Sequence, residues 1–223
     1  MTVVRDAATI IVVRDRATNP HILMGQRGTT AAFMPGKFVF PGGAVDATDA
    51  DVPATTINPL CAMRLAQETS LSPDTVSAAA IRELWEETGQ VLGHAAPWDN
   101  PATDWQGFAE TGHIPNAAAL RFFFRAVTPT GAPRRFDARF FIADARDLVG
   151  DIDDFTGAED ELSHLQWVRL TEARTFDLPF ITQVVLAELI KHLPDDGPPE
   201  TVPFFANADE QHLVHRLGGE GLL

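Results

Sequence analysis

Residues 80–90 read A-I-R-E-L-W-E-E-T-G-Q, and three of them, Glu83, Glu86 and Glu87, are carboxylates within five positions. On a helix, at about 100° per residue, Glu87 lies ~40° to one side of Glu83 and Glu86 ~60° to the other, so all three share a face. Like charges at three- and four-residue spacing repel. Such a face is either left in water, the ordinary fate of a charge run, or recruits a cation. Clustered carboxylate oxygens suit a hard ion such as Mg²⁺ or Mn²⁺. Arg82 precedes Glu86 by four positions and can pair with it, holding part of the cluster in place.

A second feature bears on the choice. The stretch K-F-V-F-P-G-G, Lys37 to Gly43, is a short apolar run that ends in Pro41-Gly42-Gly43. Glycine is used where the chain must turn or where a side chain would obstruct a close approach. A plain hairpin turn is the simpler use of the pair.

The elements that must position these residues are legible in outline. Ser72 is a candidate N-cap, Pro73 occupies the first helical position, Asp74 suits the positive end and Gly89 is the expected stop, so a helix is predicted over 73–88. Strands are expected at Ala7–Val13, His21–Gln26, Phe38–Phe40, within R-R-F-D-A-R-F-F-I-A-D-A and at H-L-Q-W-V-R-L, with another beginning at Gln90–Leu92. A short helix is expected around Cys61–Glu68, another in N-A-A-A-L-R-F-F-F-R-A-V, and a longer one in P-F-I-T-Q-V-V-L-A-E-L-I-K-H-L. Strands interleaved with helices predict an α/β (α+β) sandwich on a mixed sheet. Length favours one domain over 1–223, with an insertion at about 50–71 and an irregular tail from about 198.

The net charge of −14 argues against nucleic acid and anionic membrane as partners, though a local basic pocket remains compatible with an anionic ligand. Lysine occurs only at Lys37 and Lys191, so the cations are almost all arginine, which suits fork-like phosphate recognition and equally reflects codon usage. Cys61 is the only cysteine, which excludes an internal disulfide and a cysteine-cluster metal site. The apolar run Ala7–Val13 is too short for a membrane helix and lacks a signal-peptide pattern, so a cytoplasmic protein is expected.

Taken together, these residues resemble the Nudix hydrolases, whose box reads G-x5-E-x7-R-E-U-x-E-E-x-G-U with U apolar. Arg82, Glu83, Leu84, Glu86, Glu87 and Gly89 match its second half, with Gln90 where U is expected. Gly43, followed six positions later by Asp49 in place of glutamate, matches its first. Between Asp49 and Arg82 lie 32 residues where the pattern has seven, so the box carries an insertion of about 25 residues. The resemblance implies a Nudix α/β/α sandwich with a central mixed β-sheet. It also implies Mg²⁺- or Mn²⁺-assisted hydrolysis of a nucleoside diphosphate derivative. On it, Glu83, Glu86 and Glu87 are metal ligands with the Gly42 carbonyl as a further one, Arg82 is an orienting partner, and Gly42 and Gly43 admit the substrate. The general base is Glu83 or a carboxylate of the acidic loop G-A-E-D-E-L-S-H-L, Glu159 or Glu161.

Upstream, Leu23, Arg27, Gly36, Phe40, Pro41, Gly42 and Gly43 fall at the spacing of the coenzyme A subgroup signature, while Ala32 stands where that signature has a second arginine. The long box insertion and the T-P…R-R-F-D-A-R-F-F stretch resemble the peroxisomal kidney-type coenzyme A diphosphatase branch. Coenzyme A or an acyl derivative is therefore the expected substrate, with Arg27 a contact to it. A dinucleotide or nucleoside-diphosphate-sugar pyrophosphatase is the alternative enzyme, and a non-catalytic nucleotide-binding module the alternative class. If R-R-F-D-A-R-F-F is a strand, Arg135 and Arg139 share a face and either converge on a substrate phosphate or pair with Asp137. The inserted P-L-C-A-M-R-L-A-Q-E offers an apolar surface that is a substrate lid, a packing element or a homodimer contact.

Overall fold

The computed structural model describes residues 3–31, 33–207 and 214–218. Its framework is a nine-stranded mixed sheet. The first strands are β1 (Val4–Arg14), β2 (His21–Arg27), β3 (Phe38–Val39) and β4 (Gly42–Ala44). The inserted helix α1 (Pro59–Leu65) and the box helix α2 (Pro73–Thr88) follow. Next come β5 (Gly93–Ala95), α3 (Gln106–Glu110), β6 (His113–Pro115), β7 (Arg121–Val127), β8 (Arg135–Asp144) and β9 (Leu162–Arg169). Helix α4 (Phe180–His192) and strands β10 (Val202–Phe205) and β11 (Val214–Leu217) complete the described chain.

Strand β1 is the spine. It runs parallel to β8 from Val4 opposite Arg135 to Val13 opposite Asp144, and antiparallel to β2 and β4. Its Ala8, Ile10 and Val12 enter the core under α1 and α2, whereas Ile11 and Val13 enter the second core under α4. Because both faces are covered, its apolar run is continuous rather than alternating. The result is the expected α/β/α sandwich.

Helix α2 has the predicted ends: the Ser72 side chain accepts from Asp74 N–H, Pro73 opens the first turn, and Gly89 closes the helix at φ 73° while donating to the Trp85 carbonyl. Ala78, Ala79, Ala80, Ile81 and Leu84 are all buried, so the helix lies close against the sheet.

Three expectations need correction. The helix expected in Asn116–Val127 is a single 3₁₀ turn, Ala117–Ala119, followed by strand β7. There Phe122 faces one core and Phe124 the other, and pairing with β8 outweighs the helix preference of the preceding alanines. The strand expected at Gln90–Leu92 shrinks to one bridge, Val91 to Val149, with the regular pairing displaced to β5 and β6. The tail expected to be irregular carries β10, parallel to β7, and β11, which pairs with β10.

Candidate active site

The Gly turn and the carboxylate face, about forty positions apart in sequence, meet. Strand β4 pairs with β1 so closely that a Cβ on Gly42 would lie 2.6 Å from the Ala8 carbonyl oxygen. A Cβ on Gly43 would lie 2.5 Å from the Glu83 carboxyl carbon. Gly42 is therefore required by space against backbone, and a side chain at Gly43 would have to displace the Glu83 carboxylate. Gly42 N–H donates to Glu87 Oε2 at 2.8 Å, while Glu87 Oε1 is buried with no donor.

Arg82 is the hub of the cluster and is buried. Its Nε and Nη2 donate to the two oxygens of Asp49 at 2.9 and 3.1 Å, Nη2 also reaches the Ala44 carbonyl at 2.9 Å, and Nη1 donates to Glu83 Oε1 at 3.0 Å and Glu86 Oε2 at 2.8 Å. Burial opposes the Arg82 charge, but the Asp49 hydrogen bond and the charges of Glu83, Asp49 and Glu86 outweigh it and raise its pKa. Asp49, also buried, accepts from Asp46 N–H at 2.8 Å, so the one-methylene-shorter residue in the box's glutamate position is fully engaged. This role was not legible in the sequence, because the partners are 33 positions apart.

Burial of three glutamates around Arg82 shows in their acidity, with Arg27 also acting on Glu87. Burial, opposed by Arg82 and reinforced by Glu86 and Glu161, pushes Glu83 up to about 7. Glu86 is raised by burial, with Arg82 opposing. Glu87 is raised well above the carboxylate range by burial and by the Glu83 charge, with the Gly42 N–H opposing.

The acidic loop lies against this helix. Glu159 N–H donates to the Glu86 carbonyl at 2.8 Å, and Gly157 packs so tightly on Gly89 that a Cβ there would meet it at 3.0 Å. Glu161, its carboxylate half exposed, accepts from Arg27 Nη2 at 2.7 Å. The β2–β3 hairpin that carries Arg27 is closed by Arg27 N–H on the Lys37 carbonyl and by Gly36 N–H on the Arg27 carbonyl. Ala32 lies outside the described residues.

The model of the NUDIX domain family matches residues 4–189. The chain belongs to the Nudix family. Among curated proteins it is 32% identical over 181 residues to "Putative nudix hydrolase 7" of Caenorhabditis elegans, covering 75% of this chain and 52% of that one. The chain thus spans about half the length of that relative. Among solved structures, the crystal structure of a NUDIX hydrolase from Alicyclobacillus acidocaldarius superposes with a TM-score of 0.66 at 25% identity, covering 89% of this chain and all of that one.

As a Nudix site, the cluster has donors of the right chemistry standing slightly apart. Among the described residues, no three His, Cys, Asp or Glu side chains are gathered closely enough to hold an ion as they stand. Arg82 accounts for part of the separation, because it takes one oxygen each from Glu83 and Glu86. The residues nonetheless fit a hard divalent cation. Glu87 Oε1 is a buried oxygen lacking a donor, and Glu83 and Glu87 both have pKa values raised chiefly by burial, with Glu83 adding to the rise of Glu87.

The two strand arginines are elsewhere. For Arg139, pairing with Asp137 rather than with a substrate phosphate is the reading borne out. Arg139 is 1% exposed and paired with Asp6 and Asp137, and Arg135 Nε donates to the Thr128 carbonyl at 3.0 Å. Asp137 is instead shared with Arg125, whose part the sequence did not reveal. Cys61 is a free, buried thiol, raised in pKa by that burial. Among the described residues no helix is long and apolar enough to cross a membrane.

Proposed function

We propose that this Nudix protein is a divalent-metal-dependent hydrolase of the diphosphate linkage in a nucleoside diphosphate derivative, with coenzyme A or an acyl-coenzyme A as substrate. The observation that carries the reading is the unpartnered, buried Glu87 Oε1 beside Glu83, directly against a double-glycine turn where a side chain would strike the β1 backbone at Gly42 and the Glu83 carboxylate at Gly43. Glu83, Glu86 and Glu87 are the residues that would hold Mg²⁺ or Mn²⁺, with the Gly42 carbonyl as the backbone candidate. When bound, such an ion neutralises the diphosphate and lowers the pKa of a water that attacks phosphorus.

The chain's own groups have distinct tasks in this scheme. Arg82, fixed by Asp49 and Ala44, sets the rotamers of Glu83 and Glu86. Gly42 N–H fixes the other end of the Glu87 carboxylate. The general base is drawn from Glu83 and Glu161. Glu161 is the solvent-facing carboxylate, held by Arg27. Retention of all three helix glutamates supports an enzyme over a binding module. Coenzyme A is favoured by Arg27, Gly36 and the Phe40 to Gly43 run, which form one hairpin and turn beside the carboxylates.

A product-mass assay over coenzyme A, an acyl-coenzyme A, a dinucleoside polyphosphate and a nucleoside-diphosphate sugar tests this. The expected result is Mg²⁺-dependent release of two phosphomonoesters, with coenzyme A species cleaved most efficiently. Preference for a dinucleotide or a sugar nucleotide would replace the substrate and leave the chemistry, and no turnover of any member would remove both.

A further inference from the structure

The base of the inserted loop is closed by a relay through Asp6 and Arg139. Val45 N–H, just past the Gly turn, donates to the Asp6 carbonyl at 3.0 Å, and the Asp6 carboxylate pairs with Arg139 Nη1. Arg139 Nη2 donates to Thr69 Oγ1 at 3.0 Å, three positions before the cap of α2. Arg139 therefore joins the segment where the loop leaves the sheet to the segment where it enters the carboxylate helix. Beside it, Arg125 grips Asp137 with Nε at 2.9 Å and Nη2 at 2.6 Å, and its Nη1 and Nη2 donate to the Gln67 and Glu68 carbonyls at 2.8 and 3.1 Å. The Arg125 guanidinium also lies 4.2 Å over the Phe204 ring of β10.

The loop is held from its outer side as well. His215 of β11 meets Glu68 at 2.6 Å, and Arg64 of α1 donates to the Pro199 carbonyl. Inward, Ile57, Cys61 and Leu65 are buried in the same core as α2. Mobile covers are drawn from segments with few buried contacts and exposed hydrogen bonds, and this segment has the opposite character. We infer that residues 59–69 are a fixed brace and that Arg139 is a positioning residue: by closing the loop's base it holds the Gly turn and the carboxylate helix in register and delivers Asp49 to Arg82. Bringing the ends of a long loop together costs chain entropy, and a buried guanidinium bonded to Thr69 at one end and, at the other, to the Asp6 whose carbonyl holds Val45 offsets it.

Only the kinetic arm of the test rests on the proposed hydrolase activity. The first readout is solvent exchange of the Arg82 Nε–H and of the Asp49 and Ala50 amides, followed by NMR in the full chain without substrate. Thr69→Val should speed these exchanges about threefold to tenfold, the scale of one lost hydrogen bond. Thr69→Ser should restore them, and Arg139→Met should exceed Thr69→Val. In steady state kcat should fall in the same order with KM nearly unchanged. The surface double variant Leu60→Ser, Met63→Ser should alter neither readout, since both side chains face solvent. Unchanged exchange in both Thr69→Val and Arg139→Met would overturn the proposal, as would a KM increase confined to acyl-coenzyme A in the double variant, which is the behaviour of a lid. If Arg139→Met does not fold, the Thr69 pair decides alone. If the wild type cleaves no substrate, the functional reading fails while the exchange data still decide the brace.

Discussion

At the scale of single residues, the site is an arrangement of acids held by one arginine at some expense of their ionisation. Glu83, raised to about 7 by burial, keeps its proton in the folded chain over a range where the unfolded chain has lost it. Between the ordinary glutamate value near 4.3 and about 7 the folded state therefore binds more protons, and stability falls as pH rises through that window. Thermal unfolding of metal-free protein from pH 4 to 8 should show this decline, and Glu83→Gln should flatten it. An identical pH profile in the variant would mean that Glu83 titrates normally. Gly43→Val tests the turn: its Cβ would fall on the Glu83 carboxylate, so activity should be lost out of proportion to a destabilisation of about 1–3 kcal/mol, measured by denaturant titration.

At the scale of elements, helix α2 and its caps were readable because local chemistry decides them: Ser72, Pro73 and Gly89 each act within one turn of their position. Strands β1, β2, β8 and β9 were legible from their apolar runs. The Phe122–Phe124 segment was not, because three consecutive phenylalanines have no period, and only β8 on one side with cores above and below makes them a strand. The glutamates of the site were legible for the same reason as the helix. The pairings of Arg82 with Asp49 and of Arg139 with Asp6 were not, since they span the insertion or separate strands, whereas that of Arg139 with Asp137, two positions away on one strand, was one of the two readings its spacing offered. Gly89 joins the two levels, as it ends α2 at φ 73° and supports Gly157 of the acidic loop. Gly89→Ala should cost about 1 kcal/mol for the left-handed backbone, and should lower kcat further by displacing the loop that carries Glu161. Urea unfolding and kinetics on the same preparation separate the two effects. A rate loss no larger than the fraction unfolded would remove the loop's part in catalysis.

At the scale of the whole molecule, the proposed function has a chain of net charge −14 take up an anionic substrate. The overall field opposes encounter, and Arg27 beside the carboxylates is the local exception. Raising NaCl from 10 to 150 mM at fixed free Mg²⁺ shortens the Debye length from about 30 to about 8 Å. It should raise kcat/KM for coenzyme A, where a neutral-ligand site would be indifferent. In the proposed function, the sandwich presses a glycine turn against the glutamates of one helix so that they can hold a divalent ion at a diphosphate. The most direct test of that function is Mg²⁺-dependent hydrolysis by Glu87→Gln, a variant that removes the ionisable carboxylate and almost no volume. Turnover should fall by about 10² to 10⁴ with the fold retained. Wild-type Mg²⁺-dependent rates in that folded variant would contradict the account.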